Sequence, residues 1–296
     1  ALSLVPASTG VFRDMTQIRF AYPKYIAENC TACSNCFTAC PDSAIPGLVN
    51  SMADVFGAAV NRIEVGGTPT QYLRREVRAV EKRLRALVEA QGEAADVAAL
   101  IDQAVLEHLG ESTLEGKEKE GLEREFGLFM EQLGDFAFSI TKPNRSTREK
   151  KTKGSGGLFT VTVNPYTCKG CMECVDVCAD GALVSELQTP EAIAKMRRDW
   201  DFWLALPNTD PGYVRIDDLD DKIGALETLL LDKNNYQAMV SGDGACMGCG
   251  EKSVIHLFTS TVSALMQPRI KRHVAEIDDL IQRLETHVRL KLAESM

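Results

Sequence analysis

Two stretches decide the reading of this chain: CTACSNCFTACPDSAI, from Cys30 to Ile45, and CKGCMECVDVCADGAL, from Cys168 to Leu183. Each spaces its cysteines as C-x2-C-x2-C-x3-C. The frame extends past the cysteines, because Cys40-Pro41-Asp42-Ser43-Ala44-Ile45 answers Cys178-Ala179-Asp180-Gly181-Ala182-Leu183. Together with Cys246 and Cys249 these runs hold all 10 cysteines of the 296-residue chain. Neighbours so close in sequence are poorly placed to pair as disulfides, and a reducing interior keeps thiols free. Metal chemistry is the better reading.

The spacing says which metal chemistry. Three thiolates at two-residue intervals wrap three corners of an iron-sulfur cubane, and the fourth, on the following helix, points away from them. In a two-repeat ferredoxin the fourth cysteine completes the opposite cluster. We expect Cys30, Cys33, Cys36 and Cys178 to ligate one 4Fe-4S cluster, and Cys168, Cys171, Cys174 and Cys40 a second. A pair of zinc sites is the alternative, but zinc sites usually join two C-x2-C knuckles from separated segments. Two adjacent clusters imply electron transfer.

Each repeat is expected to run strand, ligand loop, short helix, extended piece. LFTVTV, Leu158–Val163, alternates at the period of a strand, and Pro41 suits the first turn of a helix because its missing N–H has no partner there. Between the repeats, Leu73, Val77, Val80, Leu84 and Leu87 recur at gaps of four and three, and Glu93–Leu109 and Leu122–Leu133 carry similar patterning. This predicts a helical insertion. It ends in TKPNRSTREKKTKGSGG, Thr141–Gly157, expected as a mobile loop, with six basic side chains opposed only by Glu149. That loop is either a solvated connection or a basic docking surface for an acidic redox partner.

Beyond the second repeat, Pro190–Leu206 predicts a helix stopped by Pro207, with Trp200 and Trp203 as packing residues. Ile216–Leu231 predicts another, Tyr236–Val240 a short strand, and Glu251–Met266 a helix. Strand, Gly-rich turn and helix start is the entry to an α/β domain. Ile270, Val274, Ile277, Ile281, Leu284, Val288 and Leu292 form a closing helical stripe, read as core or helix pairing, or else as a subunit contact. The predicted class is α+β, with domains at 1–50 plus 155–189, 51–154, 190–235 and 236–296. Cys246 and Cys249 by themselves fit half a zinc site, a redox dithiol or half an iron-sulfur site. Neither His256 nor His108, His273 or His287 completes a ligand set, and no Ser, His and acid constellation stands out.

Composition narrows the classes. With 33 basic against 42 acidic residues the net charge is -9, which argues against nucleic acid or an anionic membrane as the main partner. A hydrophobic content of 45% fills a real core. No apolar run approaches the ~20 residues of a membrane helix and no signal peptide is recognisable, so a soluble, cytoplasmic protein is expected. The start at Ala rather than Met suggests a piece of something longer.

Two ferredoxin repeats followed by GACMGCGE, Gly244–Glu251, resemble the pyruvate:ferredoxin (flavodoxin) oxidoreductases, the thiamine-dependent 2-oxoacid oxidoreductase family. The likeness covers Phe20–Val49, Leu158–Glu186 and Tyr236–Phe258, in the family's order. It implies a two-cluster ferredoxin-like domain followed by the start of a thiamine diphosphate domain. Cys246 and Cys249 would then be half the ligands of a third, proximal 4Fe-4S cluster, and Glu251 would lie near the thiamine diphosphate, which carries magnesium in the complete enzyme. The implied reaction converts a 2-oxoacid, pyruvate foremost, and coenzyme A into acyl-coenzyme A and carbon dioxide, with electrons passed to ferredoxin or flavodoxin. The remaining domains or subunits of the enzyme would be partners, in a homo-oligomer when complete, and this chain alone would be catalytically silent. Ala179 replaces the usual Pro. Gly242-Asp243-Gly244 lacks the downstream Asn of a thiamine magnesium motif and reads as a turn. The helical insertion and terminal helix are also outside the family pattern. A stand-alone polyferredoxin-like carrier or adaptor is the rival reading, and a zinc-rich interaction protein a third.

Overall fold

The computed structural model describes residues 14–93, 95–214, 230–234, 236 and 250–294, the last stretch with only part of its side chains. Helices and antiparallel strands share these residues, an α+β arrangement. The first repeat supplies β1 (Ala21–Tyr25), α1 (Asn35–Ala39) and β2 (Gly47–Asn50); the second supplies β3 (Leu158–Val161), α7 (Glu173–Asp176) and β4 (Leu183–Leu187).

The strands do not pair within their own repeat. β1 lies antiparallel to β4, with Tyr22 opposite Glu186, and β2 lies antiparallel to β3, with Leu48 opposite Thr160. The first strand of each repeat thus pairs with the last strand of the other, as a two-fold internal symmetry requires. Pro23 is tolerated because a two-stranded ribbon leaves its missing N–H on an edge. Apolar side chains at alternating positions, Val49, Phe159, Val161 and Leu183 among them, meet Phe37 and Ile45 in a small core beneath the cysteine loops.

The insertion contains α2 (Met52–Val65), α3 (Gln71–Gln91), α4 (Val97–Glu111) and α5 (Gly116–Leu133). α2 starts on a capping box: Asp54 N–H donates to Ser51 Oγ at 3.1 Å, and Ser51 N–H donates to Asp54 Oδ2 at 3.3 Å. α3 has its cap supplied from elsewhere. The buried Glu125 carboxylate on α5 accepts the N–H groups of Tyr72 and Leu73, each at 2.8 Å, where the positive end of the helix favours an anion. The interior is aromatic and aliphatic, with Phe56 and Phe129 edge to face at 5.1 Å and Leu73, Val80, Leu84 and Leu122 fully enclosed. α8 (Pro190–Ala205) joins the same core. Its Trp200 and Trp203 are buried and stacked at 4.7 Å, so both are packing residues.

Several expectations need correction. Pro41 opens a turn, not a helix: Ser43 N–H donates to Cys40 O at 3.2 Å, and Ser43 at φ +46° turns the chain out of the right-handed path. The basic stretch after Thr141 is ordered as a π-helical turn (Lys142–Ser146) followed by α6 (Thr147–Lys151). Glu149 holds it by accepting from Gly154 N–H at 2.7 Å and Gly156 N–H at 2.8 Å. Arg145 is buried there, and Arg148 donates to Gly212 O at 2.7 Å while covering the Tyr213 ring. Only part of the basic set therefore faces water. Of the expected strand at 236–240 only Tyr236 is described, and its N–H closes a helical turn on Asp232 O at 3.0 Å. The helix expected at 216–231 lies almost wholly outside the described residues.

The last two helical signals are one element, α9 (Gly250–Glu294), 45 residues long, which runs through Pro268. Val274, Ile277, Ile281, Leu284, Val288 and Leu292 on it are all exposed, so among the described residues the closing stripe is not a core face. No described helix is long and apolar enough to cross a membrane.

Candidate metal centre

The cysteines sit where backbone conformation repeats, not only sequence. Ala32 and Gly170, Ser34 and Met172, and Ser43 and Gly181 are equivalent positions in the two repeats, and all six have positive φ. Left-handed conformations cost a non-glycine residue about 1–2 kcal/mol each, and Ala32, Ser34 and Met172 all adopt one. Such strain persists where the surroundings impose it, often at binding sites. Alternating left- and right-handed residues also turn successive N–H groups inward, making the concavities that bind anions and iron-sulfur centres. Gly170 has a second constraint, since a Cβ there would lie 2.5 Å from the Ala21 carbonyl of β1.

Two cavities result. One is lined by Cys30, Cys33 and Cys36 of the first repeat and Cys178 of the second, with Tyr25, Phe159 and Val161 behind them. The other is lined by Cys168, Cys171 and Cys174 of the second repeat and Cys40 of the first, with Asp42 and Lys169. α1 and α7 pack against each other, which lets each short helix deliver its last cysteine to the opposite loop. All eight thiols are free.

The sulfurs are supplied with donors. Ala44 N–H donates to Cys40 Sγ at 3.2 Å, and Ala32 and Gly170, again equivalent, direct their N–H groups at Cys30 and Cys168. The Tyr25 hydroxyl reaches both Cys30 and Ser139. Burial, followed by the charges of Cys30, Cys33, Cys174 and Cys178, holds the Cys36 thiol well above its ordinary range. Burial pushes Cys40 up to about 12 and also raises Cys30, Cys168 and Cys174. These are not the depressed thiols of a reactive dithiol. Four soft sulfur donors per cavity, inward N–H groups and no competing hard ligand set fit a thiolate-bound iron-sulfur group. Among the described residues no three or more His, Cys, Asp or Glu side chains converge as ligands of one metal ion do.

Residues beyond the cysteine pattern also shape the site. Lys169 forms an ion pair with Asp42 at 3.1 Å, and both side chains are about 5–6% exposed. Arg19, buried beneath the second loop, donates from Nη1 to Pro165 O at 2.6 Å and to Cys168 O at 2.8 Å. Tyr236 packs its ring on Trp203 and donates its hydroxyl to Ser43 O beside the second cavity. Cys246 and Cys249, and the turn Gly242-Asp243-Gly244, lie outside the described residues. Glu251 lies in the first turn of α9.

No family model matches the chain, and no solved structure matches it. Curated relatives do. The chain is 31% identical over 123 residues to the pyruvate-flavodoxin oxidoreductase of Trichormus variabilis, covering 39% of this chain and 9% of that protein. It is 30% identical over 128 residues to the mitochondrial pyruvate dehydrogenase [NADP(+)] of Euglena gracilis, covering 43% and 6%. It is 33% identical over 122 residues to a putative pyruvate-flavodoxin oxidoreductase of Synechocystis, covering 38% and 9%. The chain thus spans less than a tenth of the length of these relatives. Over the matched stretch the chain is similar to pyruvate-flavodoxin oxidoreductases.

Proposed function

We propose that the chain is the electron-transfer segment of a 2-oxoacid oxidoreductase, with pyruvate, the acid in its relatives' names, as the substrate, and that each cavity holds one 4Fe-4S cluster. The observation that carries this reading is the crossed lining of the two cavities, three cysteines from one repeat and one from the other in each. A 4Fe-4S cluster, when bound, takes up and releases single electrons at a potential its surroundings set. Cys30, Cys33, Cys36 and Cys178 hold one; Cys168, Cys171, Cys174 and Cys40 hold the other. The N–H groups of Ala32, Ala44 and Gly170 offset thiolate charge at Cys30, Cys40 and Cys168. Phe159 and Val161 keep water from the inner wall of the first cavity.

In the complete enzyme Cys246 and Cys249 supply half the ligands of a third cluster. Glu251 stands near thiamine diphosphate, which carries magnesium. Other parts of the enzyme carry the coenzyme A-acylating chemistry, and ferredoxin or flavodoxin receives the electrons. We place this enzyme, a homo-oligomer, in the cytoplasm. Iron and acid-labile sulfide analysis of the anaerobically purified chain tests the cluster assignment. About eight of each per chain are expected for two 4Fe-4S clusters; stoichiometric zinc without sulfide would overturn it. Isolation of the native assembly separates a segment from a stand-alone carrier, since a thiamine-binding component copurifies only in the first case.

A further inference from the structure

The repeats match in backbone but not in charge. Thr31 and Lys169 are equivalent, as are Asp180 and Asp42, and each pair meets its partner across the internal two-fold. At the first cavity Thr31 Oγ1 donates to Asp180 Oδ2 at 2.7 Å, in an exposed contact. At the second, Lys169 Nζ meets Asp42 Oδ1 at 3.1 Å, with both side chains buried. Arg19 adds a buried cation there, bonded to the carbonyl of Cys168 and interacting with its thiol. Asp180 is the one charged residue, apart from the cysteines, lining the first cavity. Counting buried charges alone, the first cavity has none, since Asp180 is exposed, and the second, with Lys169 and Arg19 against Asp42, carries one net positive charge.

A 4Fe-4S cluster becomes more negative on gaining an electron, so nearby cations favour its reduced form. Resting on the cluster assignment above, we infer that Lys169 and Arg19 raise the reduction potential at the second cavity above that at the first, so an electron shared by the pair settles at Cys40, Cys168, Cys171 and Cys174. One electron leaves the first cluster, which is oxidised, and enters the second, which is reduced; no bond is made or broken. Water at the exposed Cys33 acts the other way, but through a high dielectric. Glu28, Glu173 and Asp176 are likewise exposed and screened, whereas Lys169 and Arg19 act from the interior.

The test is an anaerobic redox titration of the whole chain followed by electron paramagnetic resonance, with Cys171→Ser identifying the second-cavity signal. Lys169→Thr copies the hydrogen-bonding arrangement of the first repeat. It should lower the equilibrium share of the electron at the second cavity at least tenfold, a shift of about 59 mV for one electron, while Lys169→Arg retains it. Arg19→Gln, which keeps a donor for the carbonyls of Pro165 and Cys168, should lower the potential at the second cavity and supplies the same test if Lys169→Thr does not load. Potentials unmoved by Arg19→Gln, and by any loaded Lys169→Thr, would overturn the inference with the cluster assignment intact. Absence of iron and sulfide from the unaltered chain would overturn the assignment itself.

Discussion

Between α2 and α5 the chain closes its interior with apolar side chains, Phe56, Phe126, Phe129 and Leu84 among them, and even the buried Glu125 is satisfied by two backbone donors. Around the cysteine cavities it does the opposite. Three non-glycine residues of the cysteine loops, Ala32, Ser34 and Met172, are held left-handed, the strands are only four or five residues long, and eight cysteines line the two cavities. The difference teaches where a bound group is needed. The insertion can be held by the hydrophobic effect alone, but the cysteine loops carry backbone strain and gather thiols whose ionisation burial opposes, both of which a bound cluster would offset, so folding of the loops should be coupled to assembly.

Removing the clusters breaks the comparison most sharply. Chelation under oxidising conditions should abolish hydrogen-exchange protection in α1, α7 and the β1–β4 ribbon while leaving α3 and α5 protected; equal loss in both regions would show that they fold as one unit. Phe129→Ala probes the other side. Deleting this buried ring should cost about 3–5 kcal/mol, read as a lower thermal midpoint of helical circular dichroism, with iron content per folded chain unchanged. Glu125→Ala should cost about 1–3 kcal/mol by stranding the N–H groups of Tyr72 and Leu73, and Glu125→Gln, which keeps an acceptor, should recover part of it.

The smallest effect is local and depends on pH. Burial works to raise the Glu149 carboxyl, but the N–H groups of Gly154 and Gly156 hold it below its ordinary 4.5. A carboxyl lowered in the folded state stabilises above its unfolded pKa and loses that contribution as pH falls through the folded value. Amide exchange at Gly154 and Gly156, corrected for intrinsic rate, should therefore accelerate below about pH 4.5, and Glu149→Gln should flatten the change.

Much of this was legible in the residues. Period-two alternation in Leu158–Val163 marks β3, whose alternate side chains enter two cores, and gaps of four and three from Leu73 to Leu87 mark α3, whose one face meets a core. The shared frame of the cysteine runs indicates two equivalent units. α2 escaped the periodicity reading, although Ser51 and Asp54 spell its capping box. The left-handed Ala32, Ser34 and Met172 could not be foreseen, because nothing but the fold compels a side chain with a Cβ into that region. Lys169 stands in the aligned repeats opposite Thr31, yet its burial against Asp42 depends on the crossed packing of α1 and α7. Pro41 shows a limit of local rules: it fits a helix start, but Ser43 turns the chain away two residues later.

The central claim is that each repeat completes the other's site, and Cys178→Ala tests it most directly. Anaerobic reconstitution of that variant, with iron counting and electron paramagnetic resonance, should show loss of the cluster held by Cys30, Cys33 and Cys36 and retention of the one held by Cys168, Cys171 and Cys174. Loss confined to the second-repeat cluster would contradict crossed ligation.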